Sequence, residues 1–361
     1  MLRKYPIEKL PFEIEHIDPL GQGVSKIGDK VSFIPKTLPG ETGEAEVLSE
    51  KKGVRFLRLS SLLKSSPERV EPVCPHFDDC PSCHFLHTSY ENELKFKTDS
   101  LKNILRPESE IIVHSAPNRL NYRNRVQLHY SKKEQKLGYK DAFKNKILEV
   151  PKCLIGEGQV QAALKDLYNE KKWYGLVKKE RNLGHLEIYS KDGEVSINVN
   201  KPYASGGFTQ VYKEMNNKLK MLLKSKIKEN NLKVLDLFGG NGNLTKGLTK
   251  SEVLVVDISP RPKNLASHQD YFKIDLKKKG WDLKENFDVV IVDPPRAGFK
   301  DIEAFFSSVN CQEFFYVSCN PATLKRDLEK ISNIFKVLEI HLLDLFPSTY
   351  HFETMVHLSK R

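Results

Sequence analysis

From residue 233 to the C-terminus, short apolar runs recur with a spacing that admits little besides a layered α/β sheet. Residues 233–238, 252–257, 287–293, 313–319, 336–345 and 355–358 are each of strand length and are divided by loops or helix-compatible segments. Apolar strands separated in this way predict a sheet buried on both faces, mainly parallel and doubly wound. A helical pattern over residues 210–229 leads into it, so a Rossmann-like α/β domain is expected over 206–361.

The N-terminal sequence obeys a different rule. Between residues 10 and 60, short β-type runs alternate with glycine and proline, as in Pro19-Leu20-Gly21-Gln22-Gly23 and Leu38-Pro39-Gly40-Glu41. Strands with a turn signal every ten or so residues predict a small OB-like β-barrel over 1–66. Residues 67–205 form a third region: a cysteine-rich stretch, a helix over Tyr90–Leu105, and β-type segments from about residue 121 onward.

Hydrophobic residues make up 39% of the chain, enough for real cores, and the formal net charge is +11. A surplus of that size points to a polyanionic partner, with RNA or DNA the first candidates. Arg123 and Arg125 are candidate nucleic-acid contacts, with ordinary solvated arginines the equal alternative. The opening Met1-Leu2-Arg3-Lys4-Tyr5-Pro6 lacks the apolar core of a secretory signal. No run approaches the ~18 apolar residues of a membrane span. A cytoplasmic monomer with no membrane partner is therefore expected. In a reducing compartment its six cysteines are read as ligands or nucleophiles rather than disulfides.

Val234-Leu235-Asp236-Leu237-Phe238-Gly239-Gly240-Asn241-Gly242-Asn243 reads as a strand ending in a glycine-rich turn before a helix. Glycine admits a ligand close to the backbone, at the strand end where open α/β sheets bind their ligands. Asp257 ends the next strand, where a carboxylate can accept bonds from ribose hydroxyls. These residues alone fit a nicotinamide cofactor nearly as well as S-adenosylmethionine. Asp293-Pro294-Pro295-Arg296 places a second acid at a strand end, stiffened by two prolines. Arg296 stands where amino-group methyltransferases carry a base-stacking aromatic residue, which argues against methylation of an amino group.

Ser318-Cys319-Asn320-Pro321 closes another strand, and Asn-Pro forces a turn there. Tyr350-His351-Phe352-Glu353 precedes the last strand and can bring a carboxylate to the same rim. A nucleophile and a base converging on one cofactor site are hard to assign to packing. In the central region Cys74, Cys80 and Cys83 lie within ten residues and Cys153 follows later. Four thiols suit a structural zinc or an iron–sulfur cluster, and spacing does not decide between them. His76 and His84 are read as surface residues and Cys311 as a packing cysteine.

Asp293-Pro294-Pro295-Arg296-Ala297-Gly298, Ser318-Cys319-Asn320-Pro321, Phe346-Pro347-Ser348-Thr349-Tyr350-His351-Phe352-Glu353, Phe208-Thr209-Gln210-Val211 and the glycine turn jointly resemble the RNA (uracil-5-)-methyltransferase family. The resemblance spans nearly the whole chain, and the barrel resembles that family's RNA-binding TRAM domain. It implies methylation of carbon 5 of a uridine in structured RNA, with Cys319 as covalent nucleophile and Glu353 as general base. It implies S-adenosylmethionine contacts from Gln210, Phe238, Asn243, Asp257, Asp275 and Asp293. Phe208 would stack on the target base, although packing in the core competes with that role. Members with this cysteine arrangement carry a 4Fe-4S cluster, so Cys74, Cys80, Cys83 and Cys153 would ligate one.

Barrel and cysteines together favour ribosomal RNA, specifically 23S rRNA, as partner. Transfer RNA, or a non-catalytic RNA-binding or assembly role on the same scaffold, are the alternatives. Three departures from the family pattern bear on the cofactor. Gly239 replaces a common cysteine, a swap expected to leave the turn intact. Asp257 and Asp275 stand where glutamate and asparagine are common. Pro260 and Pro262 leave the 258–274 stretch short for a βαβ crossover.

Overall fold

Alternating burial turns residues 9–64 into one closed sheet. Strands β1 (Lys9–Glu13), β2 (His16–Ile17), β3 (Gln22–Ile27), β4 (Lys30–Pro35), β5 (Thr42–Lys51) and β6 (Val54–Lys64) pair in the order β1-β5-β6-β4-β3-β2. The sheet closes where the Glu15 N–H, just past β1, donates to the Val24 carbonyl of β3 at 2.8 Å. Phe12, Ile14, Ile34, Ala45 and Leu57 point inward and form its core. The computed structural model describes residues 8–141, 146–202, 210–228, 230–276 and 286–361. The chain forms two compact units, the first comprising Met1–Ser100, Asn118–Lys201 and Phe346–His351.

Helix α1 (Tyr90–Leu105) begins in that first unit. The Ser89 hydroxyl caps it by accepting the Asn92 N–H (3.1 Å), and Arg106 in the left-handed region (φ 50°) ends it. Strand β7 (Ile111–His114) follows. The first unit then builds a second sheet from β8 (Arg125–Ser131), β9 (Lys136–Lys140), β10 (Ile147–Leu148), β11 (Leu183–Lys191) and β12 (Glu194–Val199), in the order β10-β9-β8-β11-β12. Helices α2 (Gly158–Tyr168) and α3 (Lys172–Val177) bury Val160, Leu164, Leu167 and Trp173 beside it. Arg125 is internal: it is buried, lies 3.8 Å from the Glu187 carboxylate, and sets its guanidinium 3.9 Å from the Tyr189 ring centroid. It is therefore not the solvent-facing nucleic-acid contact that the sequence suggested.

The second unit comprises Leu101–Pro117, Pro202–Leu345 and Phe352–Arg361. Helix α4 (Lys213–Lys226) buries Met215, Leu219 and Leu223, one face at a four-residue interval. The strands are β13 (Lys233–Leu237), β14 (Glu252–Asp257), β15 (Gln269–Lys273), β16 (Val289–Val292), β17 (Glu313–Ser318), β18 (Phe335–Leu343) and β19 (Glu353–Lys360). With β7 they make one eight-stranded sheet ordered β15-β14-β13-β16-β17-β19-β18-β7. The pairings from β15 to β17 are parallel, β19 is antiparallel to both neighbours, and β7 runs parallel to β18. All four residues of β16 are buried, each contributing about 1.5–3 kcal/mol of apolar burial. Helices α5 (Ile302–Phe306) and α6 (Pro321–Lys330) flank β17 in sequence.

Two connections depart from the doubly wound pattern. Residues 238–251 run as successive turns where a helix was expected, and residues 258–268 join β14 to β15 without a helix. Thr245, Leu244 and Leu248 from the first connection are buried in place of a helix face.

Candidate active site

The glycine turn after β13 is built on a buried acid. Asp236, fully buried at the end of β13, accepts the Thr245 hydroxyl at 2.7 Å. The Gln269 amide donates both to that hydroxyl and to the Gly242 carbonyl, each at 2.9 Å. The turn between them passes through three left-handed residues: Phe238 (φ 57°), Gly240 (φ 55°) and Gly242 (φ 69°). A side chain at 242 would set its Cβ 2.5 Å from the Gln269 amide nitrogen. Gly239 is equally constrained, because a Cβ there would meet the Asp236 carboxyl carbon at 2.7 Å. A side chain at 239 would therefore press on the Asp236 and Val255 side chains.

Asp257 lies beside the turn, accepting the Gly240 N–H at 3.1 Å and the Ser259 N–H at 2.8 Å. Asn243 exchanges two amide hydrogen bonds with Asn216 of α4, at 2.9 and 3.1 Å. Phe238 sets its ring edge-on to Phe299, with centroids 5.3 Å apart, so its side chain belongs to the core. Asp275 is half-buried just past β15. Phe208 lies outside the described residues. Gln210 Oε1, Asp236 Oδ1 and Glu353 Oε2 are buried without a hydrogen-bond partner among the described residues. Buried polar atoms left in this state are costly.

Asp293 and Arg296 follow β16. Their loop is fastened to the segment carrying Cys319: the Arg296 carbonyl accepts from the Asn320 amide (3.0 Å) and the Thr323 hydroxyl (3.3 Å). Asp327, buried on α6, accepts the Phe299 N–H and the Tyr316 hydroxyl, both at 2.7 Å. Gly298 (φ 72°) lets the chain pass Asp327, whose oxygen would lie 2.4 Å from a Cβ there.

Cys319 and Glu353 meet through strand register. Ser318 of β17 pairs with Thr354 of β19, so the next position sets Cys319 opposite Glu353. Directly opposed residues of an antiparallel pair share a face, with Cβ atoms about 4.5–5.5 Å apart. Glu353 is the first residue of β19 rather than part of the loop before it. Asn320 caps α6 by accepting the Ala322 N–H, with Pro321 in the first turn, so Cys319 sits directly ahead of a helix N-terminus. That dipole and the Arg296 charge favour a thiolate. Burial and then the neighbouring Glu353 carboxylate act the other way and hold the Cys319 thiol up at about 12. Burial and Asp293 raise Glu353 well above the usual carboxylate range. Burial pushes Asp293 and Asp236 up to about 7, each helped by the next acid along, Asp236 and Asp257 respectively. The acids form a series from the glycine turn to Cys319, and a bound cation would relieve it. Sequence reasoning assigned no role to Arg296, Asn216, Thr245 or Gln269. Only Arg296 carried a local signal, its place after Asp293-Pro294-Pro295.

In the first unit Cys74, Cys80, Cys83 and Cys153 line one cavity together with Phe77, Leu86 and Ile155. Burial raises the Cys74, Cys80 and Cys83 thiols, and the other cysteines of the set raise them further. The Tyr139 hydroxyl approaches the Cys153 sulfur at 3.6 Å. Among the described residues no group of three or more His, Cys, Asp or Glu side chains is arranged to hold a metal ion. His84, expected at the surface, is half-buried: its ring packs edge-on to Tyr350 at 4.7 Å, and burial lowers its pKa to about 3. Cys311 lies in the core of the second unit.

A parallel sheet with a glycine turn after β13, acids ending β14 and β16, and an antiparallel β18–β19 pair beside β17 is the fold of a class I S-adenosylmethionine-dependent methyltransferase. Residues 263–361 match the family described as tRNA (Uracil-5-)-methyltransferase. The 23S rRNA (uracil(1939)-C(5))-methyltransferase RlmD of Vibrio parahaemolyticus is 28% identical, over 96% of this chain and 95% of that protein. The crystal structure of Pyrococcus abyssi tRNA (uracil-54, C5)-methyltransferase in complex with S-adenosyl-L-homocysteine superposes with a TM-score of 0.75 at 21% identity, covering 97% of this chain and 99% of that one. Over nearly its whole length the chain is similar to RNA (uracil-5-)-methyltransferases. No helix among the described residues is long and apolar enough to cross a membrane.

Proposed function

We propose that this enzyme methylates carbon 5 of a uridine in ribosomal RNA, 23S rRNA by preference, with Cys319 as nucleophile and Glu353 as general base. The observation that carries the reading is the register that opposes Cys319 to Glu353 beside the Asp293 loop. Carbon 5 of uracil is a weak nucleophile. A bond from the Cys319 sulfur to carbon 6 moves the ring's π electrons onto carbon 5 and its conjugated carbonyl, as an enolate. S-adenosylmethionine, when bound, supplies the electrophilic methyl group that carbon 5 takes. Glu353 then removes the carbon 5 proton, the ring double bond re-forms, and the thiolate leaves. Covalent addition divides one hard step into easier ones.

Gln210, Asn243, Asp257, Asp275 and Asp293 would hold the cofactor, together with the backbone around Phe238. The orphaned Gln210 and Asp236 oxygens and the glycine turn fit a polar, cationic ligand. Phe208 would stack on the target base once it leaves its own stack. In the first unit the barrel would bind RNA as a TRAM-like module, drawing on the +11 net charge. Cys74, Cys80, Cys83 and Cys153 would ligate a 4Fe-4S cluster. The four cysteines line one cavity, and the family resemblance favours a cluster there over a structural zinc.

Deleting the gene and mapping 5-methyluridine in each RNA pool tests the reading. Loss of one 23S rRNA site is expected. Loss confined to transfer RNA would move the substrate there, and no loss would make the chain a non-catalytic RNA-binding or assembly factor.

A further inference from the structure

One lysine of the barrel is tied into the cysteine site. Lys36 directly follows β4 and stands in the left-handed region (φ 65°), although it is not a glycine. Its ammonium donates to the backbone carbonyls of Phe77, Asp78 (2.9 Å) and Cys80 (3.0 Å). The same nitrogen lies 4.9 Å from the Phe77 ring centroid. Three carbonyls exhaust the three donors of an ammonium group. The backbone of Lys36 is fixed as well: its carbonyl accepts from Arg69 at 2.9 Å, and Arg69 is paired with the buried Glu41 carboxylate. Lys36 is therefore held at both ends, and its charge faces Cys80, Cys83, Asp78 and Asp79.

This arrangement is costly unless it serves the loop. A left-handed lysine, with its ammonium partly withdrawn from water, holds the carbonyls of residues 77, 78 and 80 around one point. That fixes the backbone between Cys74 and Cys83, which otherwise has neither helix nor strand to hold it. It also sets a fixed positive charge beside thiolates that repel one another.

We propose that Lys36 is the positioning residue of the cysteine site, shaping the Cys74–Cys83 loop for its cluster and supplying the charge that offsets the assembled thiolates. The proposal rests on the reading of these cysteines as iron–sulfur ligands.

The test uses the full chain, reconstituted anaerobically with iron and sulfide, as wild type, Lys36→Met, Lys36→Arg and the ligand variant Cys80→Ala. Bound iron and sulfide, the rate of iron loss to a chelator, the cluster's reduction potential and the thermal unfolding of each protein are measured. Wild type is expected to load and Cys80→Ala to fail. Lys36→Met is expected to lose iron at least tenfold faster, at a more negative potential because a neighbouring positive charge has gone. Lys36→Arg, which keeps the charge but not the compact three-donor head, is expected to fall between them. Should the methionine variant not fold, Lys36→Gln carries the same expectation. Wild-type chain that binds no iron and sulfide would overturn the cluster reading, and this proposal with it. Wild type and Lys36→Met that load, hold iron and reduce alike would overturn the role of Lys36 alone.

Discussion

Cys319 follows and Glu353 precedes the last pair, Ser318–Thr354, of one antiparallel ladder, and burial, then the neighbouring Glu353 carboxylate, raises the Cys319 thiol. In the proposed cycle the two groups act in turn, one forming the bond to the ring and the other allowing its release. Each can be disabled separately.

Glu353→Gln should leave bond formation to carbon 6 intact and block release. With RNA substrate and S-adenosylmethionine, this variant is expected to accumulate a covalent protein–RNA adduct carrying the new methyl group, with turnover reduced at least 100-fold. Denaturing gels and mass spectrometry of the adduct check it. Normal turnover by the variant would assign proton removal elsewhere.

The same substitution should speed alkylation of Cys319 in the free enzyme. Only the thiolate reacts, and the wild-type thiol is held up at about 12, so its alkylation should rise with pH through the whole alkaline range. Removing the carboxylate charge lowers the thiol pKa, so the Glu353→Gln profile should shift to lower pH. Iodoacetamide rates at Cys319, followed by peptide mass spectrometry between about pH 8 and 10, give the comparison. Coincident profiles would break the coupling.

Asp293 makes a stability statement. Its folded pKa of about 7 lies above the 3.8 of an unfolded aspartate, so the folded chain binds its proton more tightly. The associated stability is present at low pH and lost as pH rises from about 4 to about 7. Asp293→Asn should match wild type in urea unfolding near pH 4 and exceed it by roughly 1–3 kcal/mol near pH 8, while losing activity. An advantage independent of pH would contradict this.

Gly242→Ala tests the cofactor turn. The new Cβ would lie 2.5 Å from the Gln269 amide, at a φ of 69°. Strain of about 1–3 kcal/mol is expected there, and titration calorimetry should show S-adenosylmethionine binding weakened at least tenfold. Unchanged affinity would remove the turn from the site.

Much of this was legible because strand ends carry the chemistry. Apolar runs locate the parallel strands, and polar residues at or directly after their ends, Asp257, Asp293 and Cys319, fall at one rim of the sheet by topology alone. What stayed hidden depends on partners distant in sequence. β7 has no strong local signature and finds β18 more than two hundred residues later, pairing Ile111 with Ile340. Arg125 lies in an alternating strand that reads as half-exposed, and its neighbours Glu187 and Tyr189 come from a strand some sixty residues on. The missing helix after β13 has a local cause, the left-handed Gly240 and Gly242. The Asp236–Thr245 and Gln269 bonds that replace it are tertiary. Half-buried His84 looked like a surface residue because the Tyr350 ring that packs on it lies far along the chain.

RNA substrate bearing 5-fluorouridine tests the covalent chemistry most directly, because fluorine at carbon 5 cannot be removed as a proton. Wild-type enzyme with S-adenosylmethionine should form a stable adduct whose RNA-bearing peptide contains Cys319, and Cys319→Ala should form none while still binding RNA. An adduct on another residue, or methylation of ordinary RNA by Cys319→Ala, would contradict the assignment.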